Sequence, residues 1–156
     1  MRDSALLSAN AAYYRAFEAA DADAMDRVWA DGEDAVVIHP GWEAIGGADA
    51  VRESYHRIFA GGERLRIGIQ VLHVDVHGDI GRITLVEHVY PPGHPRPVAR
   101  VACTHLFRKV DGEWRMILHH ASPIHMGGPA DDRDIRSEEH TSELQSHSDL
   151  VCRLLL

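Results

Sequence analysis

The chain has 156 residues, of which 45% are hydrophobic and 26% are charged. This composition is typical of a soluble globular protein. The formal net charge of −8 argues against binding to nucleic acid or to an anionic membrane surface. No apolar run is long enough for a signal peptide or a membrane span, so we expect a cytoplasmic protein.

Three helices are predicted in the first part of the chain. Apolar residues recur at helical spacing over residues 4–20, 22–30 and 47–59. Asp21 is placed to cap the second helix, and Gly61-Gly62 stops the third.

The remaining chain is predicted to form strands and turns. Residues 35–39 form a short apolar run, closed by Pro40-Gly41 and a loop that carries Trp42. After the third helix, residues 64–71 alternate between polar and apolar side chains, and residues 81–90 form a further apolar run. Such patterns favour β-strands with one wet and one dry face.

The clearest local signal is a β-hairpin within residues 98–124. Two runs rich in β-branched and aromatic residues flank Val110-Asp111-Gly112-Glu113, and Asp-Gly at the centre of a four-residue turn favours a hairpin. Pairing Val110 with Glu113 fixes the residues that lie opposite each other. The predicted pairs are Phe107 with Met116, His105 with Leu118, and Cys103 with His120. His119 is then expected on the opposite face.

A second register is predicted across the proline-rich loop of residues 91–97. It places Glu87 near Val101, Leu85 near Cys103, and Ile83 near His105. One face of the sheet then carries Ile83, Leu85, Glu87, Val101, Cys103, His105, Phe107, Met116, Leu118 and His120. A carboxylate on such a face is costly unless it is paired, so we expect Glu87 to interact with His105 or His120.

This order of elements predicts an α+β fold with one domain over residues 1–130. Three N-terminal helices would pack on a strongly curved antiparallel sheet, ordered as a meander, and form a cone with an internal cavity. Residues 131–156 are expected to be a disordered or artefactual tail. Within them, the segment RSEEHTSELQSHSDLVCRLLL, residues 136–156, resembles a translated sequencing-library adapter. Cys103 is then the domain's own cysteine.

Four motifs suggest a family: YYRAFEAADADAMDRVWADG, VVIHPGWEAIGG, FRKVDGEW and HHASP. Together they resemble the SnoaL-like branch of the nuclear transport factor 2 superfamily, over roughly residues 4 to 126. The resemblance implies a cystatin-like cone. It does not specify a reaction, because the superfamily includes isomerases such as ketosteroid isomerase, cyclases, dehydratases, hydrolases and non-catalytic proteins. It also implies a homodimer through the outer sheet face, here Val86, His88, Ala102, Leu106 and Ile117.

The ketosteroid isomerase pattern can be laid over this chain. Its helix-one tyrosine falls on Tyr13, and its base, just before a proline, falls on His39. Its late-strand acid falls on Thr104, or on His105 with a one-residue slip, and the hairpin register favours His105. None of these positions keeps a carboxylate, although His39 as a base and Tyr13 as a donor are sensible substitutes near neutral pH.

Our leading hypothesis is a pocket that binds a small hydrophobic molecule and works by acid–base chemistry without an organic cofactor. His39 would act as the base, Glu87 would set the charge of His105 or His120, and Tyr13 would donate to developing negative charge. No metal is predicted, because no short-spacing ligand signature is present. The expected pocket lining is Tyr14, Trp29, Trp42, Tyr55, Leu85, Val101, Cys103, Phe107, Met116 and Leu118.

The alternative hypothesis is a non-catalytic binding or dimerisation module whose cavity is filled by side chains. The volume of the cavity discriminates between the two hypotheses. An enclosed pocket of several hundred cubic ångströms, reached by Glu87 and His39, would favour the enzyme.

Overall fold

A computed structural model describes residues 2–125 of the chain. Helix α1 spans Arg2–Ala19, α2 spans Ala22–Val28, and α3 spans Ala48–Gly61. The three predicted helices are therefore present, with every end within two residues of its predicted position. The predicted tail, residues 131–156, with its adapter-like segment, lies outside the described residues.

Local hydrogen bonds explain where these helices begin and end. The Asp21 carboxylate accepts a hydrogen bond from the Ala24 amide at 3.0 Å, which is the predicted N-cap of α2. Ala20 takes a positive φ of 52° between α1 and α2. At the end of α3, the Gly62 amide donates to the Ile58 carbonyl at 2.8 Å.

Within residues 2–125, six strands form one mixed sheet in the order β2-β1-β6-β5-β4-β3. Their bounds are Val36–Ile38 (β1), Ile45–Gly46 (β2), Arg66–His77 (β3), Ile80–Tyr90 (β4), Ala99–Val110 (β5) and Glu113–Ile124 (β6). Strands β3 to β6 form the predicted antiparallel meander. The purely antiparallel prediction is wrong at the other edge, because β1 pairs in parallel with β6 and the predicted loop contains β2.

The register predicted between β4 and β5 is confirmed. Glu87 lies opposite Val101, Leu85 opposite Cys103, and Ile83 opposite His105. The hairpin turn is confirmed as well. Val110 pairs with Glu113, and both central turn residues have positive φ angles, 51° at Asp111 and 82° at Gly112.

The β5–β6 pairs nearest the hairpin turn match the prediction. Further along the strands, the register departs from the prediction at a β-bulge. Phe107 lies opposite Met116 as expected, but Leu106 lies opposite Leu118, so Ile117 is an extra residue in β6. This residue reverses the faces that follow it. The pairings predicted for His105 with Leu118 and for Cys103 with His120 are therefore wrong: the observed partners are His119 and Ala121.

The reversal exchanges the two adjacent histidines. His119 is buried, with 2% of its surface exposed, whereas His120 is exposed. Leu118 is half-buried on the face opposite to that of His119 and Met116. The predictions that His120 and Leu118 share the inner face with Glu87 are therefore wrong.

The helices cover the inner face of the sheet, and one glycine sets a close contact. A Cβ atom at Gly81 would lie 2.7 Å from Cδ2 of Leu6, so α1 approaches β4 where a side chain is absent. On the far edge, β3 leaves Ile69, Val71 and Leu72 exposed by 38–48%. No helix among residues 2–125 is long and apolar enough to cross a membrane.

Candidate functional site

A small cavity lies between α1 and the inner face of the sheet. Its volume is about 20 Å³, which is room for about one water molecule. This is far below the several hundred cubic ångströms expected for the enzyme, so the cavity volume favours the alternative hypothesis, in which side chains fill the cavity. The lining residues are Tyr13, Tyr14, Phe17, His39, Pro40, Leu65, Ile67, Glu87, Val89, Val101 and His119.

Glu87 is the one carboxylate in this lining, and its partner is Tyr14. The Tyr14 hydroxyl donates to Oε2 of Glu87 at 2.6 Å. Burial raises the pKa of Glu87 to about 7, while hydrogen bonds from Tyr14 and Cys103 act in the opposite direction. Glu87 was predicted to pair with His105 or His120, but the structure pairs it with Tyr14 instead.

His39 lies at the end of β1, where Ser54 of α3 holds its ring. Nε2 of His39 is 2.9 Å from Oγ of Ser54, and that hydroxyl donates its proton to the Val51 carbonyl at 2.7 Å. Since the hydroxyl proton is used, Ser54 accepts from Nε2–H, and Nδ1 of His39 keeps its lone pair. Burial lowers the pKa of His39 to about 4, so the ring is neutral at pH 7.

Asn10, His105 and His119 form a second buried chain. Oδ1 of Asn10 lies 2.6 Å from Nδ1 of His105, and Nε2 of His105 lies 2.8 Å from Nδ1 of His119. Burial lowers the pKa of His105 to about 3 and that of His119 well below its usual value. The amide oxygen only accepts, so in neutral rings each Nδ1 donates and Nε2 of His119 keeps a lone pair.

Two tyrosines complete the cluster. The hydroxyls of Tyr13 and Tyr55 are 2.8 Å apart, and either can be the donor. The Tyr13 ring also stacks on His119, with centroids 5.1 Å apart and planes at 30°. Burial raises the pKa values of both tyrosines, so both remain protonated at neutral pH.

The fold agrees with a family assignment. The family model of the SnoaL-like domain matches residues 6–126. The chain belongs to this family. The predicted resemblance is thus confirmed, whereas no curated protein has significant sequence similarity to this SnoaL-like chain.

Three solved structures illustrate the relationship. A candidate calcium/calmodulin-dependent protein kinase type II association domain from Thiobacillus denitrificans is 31% identical, with a TM-score of 0.71, over 74% of this chain and 92% of that chain. A candidate dehydratase of the NTF2-like family from Streptomyces avermitilis is 30% identical, with a TM-score of 0.72, over 79% and 96%. A ketosteroid isomerase-like protein from Erwinia carotovora atroseptica is 23% identical, with a TM-score of 0.63, over 78% and 95%, and shares the fold.

The SnoaL-like pocket brings together only part of the predicted site. Of the five residues predicted as catalytic, Tyr13, His39 and Glu87 line the cavity, His105 lies behind His119, and His120 is exposed. Among the predicted lining residues, Tyr14 and Val101 do line it. The others do not: Trp29, Tyr55, Leu85, Cys103, Phe107 and Met116 are buried in the core around it, whereas Trp42 and Leu118 are half-buried.

Two members of the cluster were missed by sequence reasoning. His119 was assigned to the outer face because the bulge was not predicted. Asn10 was overlooked, although it lies three and four residues before Tyr13 and Tyr14 and therefore on the same face of α1. This spacing was the signal in the sequence, and in the structure Asn10 is buried, with 1% of its surface exposed.

Among residues 2–125, one group of buried side chains in this SnoaL-like domain has the types that bind metals. One ligand atom from each of Glu87, Cys103, His105 and His119 lies within 4.8 Å of the others. Two nitrogen ligands of one tetrahedral zinc ion would be about 3.3 Å apart. Nε2 of His105 and Nδ1 of His119 lie 2.8 Å apart instead, which is hydrogen-bond spacing, so a metal ion bound by these two atoms would have to separate them.

Proposed function

We propose that this SnoaL-like domain binds a small molecule in the pocket and acts on it by general acid–base chemistry, with Glu87 as the group that takes and returns the proton. The observation that supports this most is a buried carboxyl group at the pocket wall whose pKa is about 7. Such a group exists in both protonation states near neutral pH, which proton transfer requires.

In this function the base is Glu87, and not His39 as the sequence predicts. With a pKa of about 4, His39 holds a proton too weakly to take one up efficiently at pH 7. Its lone pair can still accept a hydrogen bond from a bound molecule. Tyr13 remains the candidate donor, because the Tyr13–Tyr55 hydrogen bond uses only one of the two hydroxyl protons.

The reaction class that fits is an isomerase, cyclase or dehydratase step without an organic cofactor. In each, a base removes a proton and a nearby donor stabilises the oxygen that gains negative charge. The candidate dehydratase from Streptomyces avermitilis, which is 30% identical to this chain, supports this class. Because the cavity holds about one water molecule, a hydrophobic substrate must displace part of the apolar lining, such as Phe17, Leu65 and Ile67.

The test is a thermal-shift screen of hydrophobic carbonyl and hydroxyl compounds on the full chain, followed by turnover measurements. Glu87→Gln keeps the shape of the side chain and an acceptor for Tyr14 but removes the titrating group. We expect it to lose at least about 100-fold in kcat, measured at a saturating concentration of the compound. His120→Gln, at an exposed residue, is the matched control and should keep full turnover. Unchanged turnover in Glu87→Gln would contradict the proposal.

A second candidate function is a non-catalytic association module. The 31% identity to a candidate kinase association domain supports it, as do the exposed apolar side chains Ile69, Val71 and Leu72 on β3. The dimer face implied by the resemblance includes Leu106. Sedimentation of the wild-type chain and of Leu106→Lys tests this candidate: a dimer that becomes a monomer would support it, and a wild-type monomer would contradict it.

A further inference from the structure

The pocket wall is rich in hydrogen-bond acceptors and poor in donors. Three of its polar side chains are Glu87, His39 and His119. Glu87, when ionised, only accepts. The protons of both neutral histidines are directed to partners that do not line the cavity, namely Ser54 for His39 and His105 for His119.

The tyrosines add little donor capacity. Tyr14 donates its proton to Glu87, so this proton is already used. Tyr13 and Tyr55 share one hydrogen bond, which leaves at most one hydroxyl proton for a bound molecule. The cavity lining contains no lysine or arginine, so nothing in it complements an anion.

We infer that the pocket binds the ammonium group of a small primary amine, with Glu87, His39 and His119 as its three acceptors. This inference rests on the proposed small-molecule pocket and names the chemical class of its ligand. An ammonium group has three N–H donors and no acceptor, which matches the acceptors in number. Its positive charge pairs with the Glu87 carboxylate, which is buried and forms no ion pair with any residue of the described part of the chain.

Size and geometry agree with this assignment. A cavity of about 20 Å³ takes a group the size of a water molecule, and an ammonium group is that size. Glu87, His39 and His119 all line this one cavity, so the three proposed acceptors surround the space that the ammonium group would occupy.

The aromatic residues of the lining add a further attraction. Tyr13, Tyr14 and Phe17 all border the cavity, and aromatic faces attract cations. The apolar side chains Leu65, Ile67 and Val89 border it too and suit a hydrocarbon substituent. The expected ligand is therefore an amine with a short apolar chain.

Isothermal titration of the full chain with three molecules of similar shape tests the inference: n-butylamine, n-butanol and butyrate, at pH 7.5. We expect butylammonium to bind at least tenfold more tightly than butanol, and butyrate to bind no better than butanol. In Glu87→Gln the preference for the amine over the alcohol should disappear. His120→Gln should keep it.

Equal affinity for amine and alcohol, a preference for butyrate, or no binding of any of the three would overturn the amine assignment. The ranking in the wild-type chain decides this even if Glu87→Gln does not fold. The proposed acid–base function fails differently, namely when Glu87→Gln keeps full turnover. A tenfold amine preference without loss of turnover in that variant would keep the ligand class and reject Glu87 as the proton-transfer group.

Discussion

Strand pairs β4–β5 and β5–β6 lie side by side in the sheet. Only in β4–β5 do the side chains alternate between the two faces without interruption. Across the seven-residue loop, β4 and β5 keep one register from Ile80 opposite Arg108 to Val89 opposite Ala99. Across the tight Asp-Gly turn, β5 and β6 keep theirs only as far as Met116, where the bulge at Ile117 shifts it. A tight turn therefore fixes the register beside it, whereas a bulge further along decides which side chains reach the pocket.

The largest expected effect is on the free energy of unfolding, and it differs between two residues that simple alternation places on one face. Phe107, before the bulge, is fully buried, whereas Leu118, after it, is half-buried on the other face. We expect Phe107→Ala to lower the free energy of unfolding by about 3–5 kcal/mol. Leu118→Ala should lower it by about 1 kcal/mol. Urea unfolding measures both, and equal losses would contradict the observed register.

The next largest effect is the pH dependence of the free energy of unfolding that Glu87 causes, in the regular strand pair β4–β5. Its pKa rises from 4.5 to about 7 on folding, so the folded state holds the proton more tightly. The free energy of unfolding should therefore fall by about 3 kcal/mol as the pH rises from 4.5 to above 7.

Two histidines work in the opposite direction over the lower part of this range. The lowered pKa values of His39 and His105, about 4 and about 3, make the folded state gain stability as the pH rises toward 6.5. Chemical denaturation of wild type and Glu87→Gln from pH 5 to 8 isolates the carboxyl contribution. A wild-type stability that did not fall between pH 6.5 and 8, relative to the variant, would show that Glu87 has an ordinary pKa.

The third effect is the difference in stability expected between substitutions of two neighbours, His119 and His120, in the bulged strand pair β5–β6. His119→Ala removes the donor to His105 and leaves a buried ring nitrogen without its partner, which should cost about 1–3 kcal/mol of unfolding free energy. His120→Ala, at an exposed position, should change it by less than about 0.5 kcal/mol. If His120→Ala were the more destabilising, the assignment of His119 to the inner face would be wrong.

The smallest effect is at the turn. Gly112 has a φ of 82°, which disfavours any residue with a Cβ atom. Gly112→Ala should cost about 1 kcal/mol of unfolding free energy. Since the turn does not control the bulge, amine binding should be unchanged in this variant. Altered binding would mean that the turn influences the register as far as His119.

Much of the fold could be predicted because its signals are local. Helix spacing, the Asp21 cap and the Asp-Gly turn act within a few residues, and they were interpreted correctly. The parallel pairing of β1 with β6 joins Val36 to Leu118, and no turn in the sequence specifies such a distant partner.

The site was predicted less completely, for two physical reasons. Met116, Ile117 and Leu118 are all apolar, so alternation of polarity does not mark the residue that bulges. The partner of Glu87 is Tyr14, on a helix 73 positions earlier, and packing of α1 on the sheet decides that contact. Glu87 was found because a carboxylate in apolar surroundings is conspicuous in sequence, whereas His39 and Tyr13 were found from the resemblance to ketosteroid isomerase.

The bulge at Ile117 also affects tolerance to changes in chain length. Because Ile117 has no opposite residue in β5, its deletion would join Met116 to Leu118 in a regular ladder and leave His119 facing inward. Deleting one residue in the middle of β4 would instead turn every later side chain of that strand to the other face, Glu87 included. Strand β6 can therefore lose a residue at this point and keep its side of the pocket.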